Sequence, residues 1–258
     1  QPDILWQFNP HAAAALFLAL LSPRILPSAV GHAKREQLLA WLPEKLLTLE
    51  SLEGLPERIL HDVYMHCSYA DMAEKHAIKR SINVHLRNTL LHNGLSDNCS
   101  RPPSRSKPLM LVILEWFNSG HSIYRTHSST LRAVREQFST HGVTIVEATD
   151  TTTREVFDDF TEVQRTGAVE AIAVLAKKLR TDVIYFPSVG MFPLTIAMTN
   201  LRLAPLQIMA LGHPATTHSS YIDAVLVEED YLGDPRCFSE KVVSLPKDCL
   251  PYVPPANI

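Results

Sequence analysis

Six consecutive apolar residues, Leu109-Met110-Leu111-Val112-Ile113-Leu114, constrain the fold of this chain more than any other feature. A short, unalternating apolar run suits a strand buried on both faces, and such strands belong to parallel sheets covered by helices. The pattern that follows predicts a helix over 131–138, a strand over 143–148, a helix over 167–179 and a strand over 182–186. A further helical stretch precedes a strand over 206–211, and strands are expected over 224–227 and 241–245. Strands alternating with helices at these spacings form βαβ units and an α/β, doubly wound parallel sheet.

The chain before residue 96 has a different character. Leu38-Leu39, Trp41-Leu42 and Leu46-Leu47 recur at helical spacing, and Pro23, Pro27, Pro43 and Pro56 punctuate short helices. Residues 1–95 are therefore expected to be all-α. Residues 96–108 are polar and rich in Pro and Ser, the composition of a connector. Residues 109–250 form the α/β part, and the proline-rich 251–258 reads as the start of an interdomain linker. The apolar stretch from His11 to Leu21 lacks a basic flank and is well short of the ~20 residues of a membrane span, so a buried helix is expected there. The chain opens on Gln1 rather than Met, as a partial product would.

A formal net charge of −3 argues against nucleic acid as the main partner, because phosphate neutralisation needs a clustered basic face. Four cysteines without C-x-x-C spacing suit reduced thiols in a cytosolic protein. The twelve histidines include pairs five or six apart, whereas a helical zinc pair is four apart, and Asp158-Asp159 reads as a solvated acidic stretch, so no metal is expected. No G-x-G-x-x-G, P-loop or G-x-S-x-G occurs, which disfavours dinucleotide oxidoreductases, NTPases and serine hydrolases.

In an open parallel sheet, ligands bind at the carboxyl ends of strands. Three polar segments fall there: 115–129 with His121 and His127, 187–191 with Ser188 and Gly190, and 211–219 with Gly212, His213 and His218. His121, in a loop after a glycine, suits a functional role. His127, Ser128 and Ser129 suit helix capping equally well, Gly212 a turn with positive φ, and His213 and His218 an ordinary surface. In the helical part, His66 and Tyr69 lie three apart and share a helix face with His61 nearby, a pattern that an ordinary polar helix surface also produces.

The stretches HDVYMHCSY (61–69), EWFNSGHSIYRTHSS (115–129) and RLAPLQIMALGHPATTHS (202–219), followed by VLVEEDYLGDPRCFSEKVVSLPKDCLPYVP (225–254), resemble the bacterial cytoplasmic N-glycosyltransferases that modify high-molecular-weight adhesins. These belong to glycosyltransferase family 41 with the O-GlcNAc transferases. The resemblance implies a GT-B architecture of two Rossmann-like lobes, of which this chain would hold the amino-terminal lobe and the preceding helices, with the carboxyl lobe missing. It implies UDP-glucose or UDP-galactose as donor and asparagine in N-x-Ser/Thr of adhesin-type polypeptides as acceptor. Inversion at the sugar carbon, a metal-independent reaction and a cytoplasmic setting come with it.

Carried over by position, His121 is the catalytic residue, His61, His66 and Tyr69 line the acceptor and sugar side, and Gly212 and His213 face the donor. Trp116 and Asn118 stand where better-known members have histidine. Because the donor binds mainly to the carboxyl lobe in this family, the chain alone is expected not to turn over. The alternatives are a truncated, non-catalytic module that binds polypeptide acceptors, and a relative of the O-linked enzymes.

Overall fold

The computed structural model describes residues 1–25, 27–97, 102–210, 215–249 and 252–254. The chain divides into two compact units, Gln1–Gly94 with Ala215–Ser219, and Leu95–Pro214 with Ser220–Ile258.

The first unit is helical: α1 (Pro2–Phe8), α2 (Pro10–Leu21), α3 (Ala29–Leu46), α4 (Glu57–His66) and α5 (Ala77–His92). Prolines start the first two, where a missing N–H costs nothing. The side chain of Asn9 caps α2 by accepting from Ala12 N at 3.0 Å, and Ser28 caps α3 through Gly31 N at 3.2 Å. The apolar run from His11 is α2, which buries Ala13, Ala14, Phe17, Leu18 and Leu21. Trp41 receives Trp6 and Phe17 edge-on at 5.6 and 5.7 Å. Pro43 sits inside α3, and α5 serves that end of the helix: Ser81 donates to Pro43 O, and His85 Nε2 lies 2.8 Å from Leu46 O.

The segment Ala215–Ser219 clusters with these helices although it lies far along the chain. Lys79 Nζ donates to Thr216 O at 2.9 Å, while Tyr64 Oη and Asn83 Nδ2 donate to Thr217 O at 3.0 and 2.9 Å. All three donors are buried. Lys79 also lies 4.9 Å from the Tyr64 ring, so its ammonium has both a carbonyl and a π face.

The second unit is a seven-stranded, all-parallel sheet built from β1 (Leu109–Ile113), β2 (Ser139–Ile145), β3 (Asp159–Val163), β4 (Val183–Phe186), β5 (Leu206–Ala210), β6 (Ala224–Glu228) and β7 (Lys241–Leu245), in the order β3-β2-β1-β4-β5-β6-β7. The helices are α6 (Ser122–Val134), α7 (Thr151–Arg154), α8 (Ala168–Leu179) and α9 (Pro193–Met198). The apolar run at 109 is β1, three strands in from one edge, with Leu111, Val112 and Ile113 fully buried.

Three boundaries differ from the sequence reading. The strand expected at 143–148 starts at Ser139 and stops at Ile145, and Asp158-Asp159, read as solvated, leads into the edge strand β3. Asp158 has a structural task, accepting Thr140 N at 2.9 Å and Arg135 Nε at 2.7 Å. The helix expected from 131 begins at Ser122, so His127 and Ser128 are interior helix residues and do not cap it. The connector is tied down by Arg105, which pairs with Asp182 at 3.0 Å and donates to Leu179 O at 2.5 Å.

Candidate functional site

At the carboxyl end of the sheet, the loop from Glu115 to His121 is held from two sides. Glu115, fully buried at the end of β1, accepts hydrogen bonds from Ser188 Oγ at 2.7 Å, from Gly190 N and Phe192 N at 2.9 Å each, and from Thr195 Oγ1. Burial pushes its carboxyl above the usual range, against the opposing pull of these donors. One acidic side chain thus joins the loops that follow β1 and β4. In the sequence, Glu115 stands at the head of a polar segment with no motif to mark its role. An acid directly after an apolar strand was the available signal.

On the other side, Asp150 accepts Ser119 N at 2.8 Å and Ser119 Oγ at 2.7 Å while capping α7 through Thr153 N at 3.0 Å. Partial burial raises the Asp150 carboxyl, but the hydrogen bonds from Ser119, Thr152 and Thr153 outweigh it and hold the group below the usual carboxylate range. Between the two clamps, Phe117 N donates to Ala148 O at 3.1 Å, and the Phe117 ring packs against Tyr124 and Phe157. Trp116 meets Phe192 edge-on at 4.9 Å. Asn118 O accepts the backbone N–H of His121 at 2.9 Å.

His121 is the N-cap of α6, and its Nδ1 accepts Ile123 N at 3.3 Å. Burial, followed by the positive charge of Arg125, holds its pKa below the ordinary histidine value, so the ring is neutral at pH 7. With Nδ1 engaged as acceptor, the neutral ring carries its proton on Nε2. Such a ring offers a hydrogen-bond donor rather than a free base.

The other sequence candidates belong to the helical unit or lie outside the described residues. His66 ends α4, and its ring lies 5.5 Å from that of the exposed Tyr69. Both border a cavity of about 220 Å³ whose walls include Leu39, Val63 and Cys67, with Arg35 and Glu36 at its polar side. Burial lowers the His66 pKa, partly opposed by Asp62. Burial pushes the Cys67 thiol up, which keeps it protonated and a poor nucleophile. His61 shares α4 with His66 but is not a wall of the cavity. Gly212 and His213 fall at 211–214, outside the described residues. His218 follows them with a left-handed backbone, φ 53, between the buried Thr217 and Ser219.

Comparison with known proteins bears on the family. Residues 3–90 match the model of HMW1 domain 2. Two proteins named UDP-glucose:protein N-beta-glucosyltransferase, from Actinobacillus pleuropneumoniae serotype 5b (strain L20) and serotype 7 (strain AP76), are each 42% identical over 268 residues, covering 98% of this chain. Along nearly its whole length, the chain is similar in sequence to part of these HMW1-type glycosyltransferases. It spans 42% of the length of those curated relatives. In fold it is similar to an O-GlcNAc transferase mutant of Thermobaculum terrenum, with a TM-score of 0.58 and 15% identity over 100% of this chain and 52% of that one. The parallel sheet is the Rossmann-like lobe of that GT-B-type architecture. Among the described residues, no helix is long and apolar enough to cross a membrane.

Proposed function

We propose that this chain provides part of the active site of a UDP-glucose-dependent protein N-glycosyltransferase, acting on asparagine in Asn-x-Ser/Thr of adhesin-type polypeptides in the bacterial cytoplasm, with UDP-galactose as a second donor. The 42% identity along 98% of the chain to proteins named UDP-glucose:protein N-beta-glucosyltransferase carries the donor and the N-linkage, and the motif resemblance suggests the acceptor and the second donor.

The reaction sets clear demands. The acceptor amide nitrogen forms a bond to the anomeric carbon as the bond from that carbon to UDP breaks, and the electron pair leaves on the diphosphate. Attack from the face opposite UDP inverts the carbon, and the nitrogen loses a proton. An amide is a weak nucleophile, so orientation and stabilisation of the leaving group must supply much of the acceleration. A neutral His121 presenting Nε2–H from a doubly clamped loop suits hydrogen-bond donation to the departing oxygens or to the acceptor amide carbonyl. It suits proton abstraction less, because its Nδ1 lone pair already serves the helix cap. His61, His66 and Tyr69 are assigned to the acceptor and sugar side, and Gly212 and His213 to the donor-facing loop. No step in this scheme calls for a metal.

A segment exchange tests the proposal. This chain replaces the matching stretch of the Actinobacillus glucosyltransferase, and the folded hybrid is incubated with UDP-glucose and an Asn-x-Thr peptide. Addition of one hexose to the asparagine, absent from a Gln-x-Thr peptide, supports the reading. A folded hybrid that hydrolyses or ignores UDP-glucose and leaves the peptide unchanged counts against it.

A further inference from the structure

The helical unit holds a cluster of metal-type donors that the transfer reaction does not use. His32 and Glu36 stand one turn apart on α3, four residues being the spacing that puts two side chains on one helical face. Asp71 comes from the turn after Tyr69. His32 Nε2 lies 3.6 Å from Glu36 Oε1 and 3.0 Å from Asp71 Oδ2, and the three donor atoms all fall within 4.8 Å of one another. Ligands about 2.0 Å from a tetrahedral zinc ion sit roughly 3.3 Å apart, which the two measured separations bracket.

We infer that His32, Glu36 and Asp71 form a binding site for a divalent cation of the zinc class, at the rim of the helical unit's cavity. One imidazole and two carboxylates suit Zn2+ or Co2+ better than Mg2+ or Ca2+, which favour all-oxygen shells. Three protein ligands leave a coordination position for water. His32 and Glu36 both border the cavity of about 220 Å³, so that position has room. Glu36 is oriented in advance, accepting Asp71 N at 3.2 Å and Met72 N at 3.0 Å. Arg35, which borders the same cavity, donates to Leu21 O at 2.7 Å, and Lys75 donates to Ala70 O at 3.0 Å.

A bound ion would tie α3 to the turn carrying Asp71, two residues beyond Tyr69, and so stiffen the cavity wall formed by Tyr69 and Ala70. The ion takes no chemical part in the transfer step, and the inference rests on the donor geometry and not on the transferase reading.

The test is calorimetric titration of the chelator-stripped full chain with ZnCl2, repeated with Co2+ and visible absorption. One ion per chain is expected, with affinity lowered at least about tenfold by His32→Ala and by Asp71→Asn. Asp71 is exposed and His32 half-exposed, so both variants should keep the circular dichroism and melting temperature of the metal-free protein. Absence of binding below millimolar Zn2+ overturns the inference. Binding that is unchanged in both variants also overturns it, by placing the ion on other histidines or on the thiols.

Discussion

The Glu115 carboxylate accepts the Ser188 hydroxyl at 2.7 Å, and this contact joins the carboxyl ends of the neighbouring strands β1 and β4. The same side chain takes the backbone N–H groups of Gly190 and Phe192, so a single buried acid sets the course of the loop leading into α9.

Removing that acid takes the carboxylate acceptor from two buried amides and two buried hydroxyls. Glu115→Ala is expected to lower the unfolding free energy by about 3 kcal/mol or more. Glu115→Gln, which keeps one acceptor oxygen, should cost less. Urea unfolding of the three proteins at one pH gives the comparison.

Gly142 in β2 is fixed by close packing. A Cβ at this position would come within 2.6 Å of the Phe160 ring and 2.7 Å of the Phe157 ring. Those rings belong to or pack against the core of the sheet and cannot both withdraw without opening it. Gly142→Ala should therefore destabilise by about 1–3 kcal/mol. Thermal unfolding reads the loss directly.

His127 makes stability depend on pH. Burial lowers its pKa to about 4, and among the described residues its Nε2 has no hydrogen-bond partner. The folded pKa lies below the unfolded value of about 6.5, so the unfolded chain binds more protons between the two. Its contribution is complete above the unfolded pKa and is lost as pH falls through the folded one. Between pH 7 and pH 5 it should account for a loss of about 2 kcal/mol. His127→Asn should remove that part of the pH dependence, whatever it does to stability at pH 7. Equal slopes in the two proteins would contradict the assignment.

Much of this architecture was legible in the sequence because burial left a plain trace. The uniform apolar run at 109–114 could be little else than a central strand, and the apolar stretch from His11 is the buried α2. The edge strand β3 left no such trace. Asp159-Phe-Thr-Glu-Val pairs on one side alone, so its polar residues are tolerated and mask the strand. The early start of α6 was visible in principle: Ile123, His127 and Leu131 recur at a spacing of four, and all are buried. Its polar composition hid it.

The site was legible in part. His66 and Tyr69, three apart in sequence, do meet as rings across one turn. The roles of Glu115 and Asp150 could not be read from spacing, because their partners lie about thirty to eighty residues away and are brought close by sheet order alone. The anchoring of Ala215–Ser219 by Lys79, Asn83 and Tyr64 is long-range in the same way. That His121 caps α6 with its own ring depends on a backbone geometry that no motif announces.

His121 is where the account is most exposed, and His121→Asn in the hybrid enzyme tests it directly. Asparagine is an excellent N-cap, so this substitution keeps the start of α6 while removing the imidazole Nε2–H. The measurement is kcat and KM for hexose transfer to the Asn-x-Thr peptide, with melting temperature as the control. The account predicts an unchanged melting temperature, KM within a few-fold, and a kcat reduced at least about 100-fold. Transfer at the unsubstituted rate by a folded His121→Asn enzyme would contradict it.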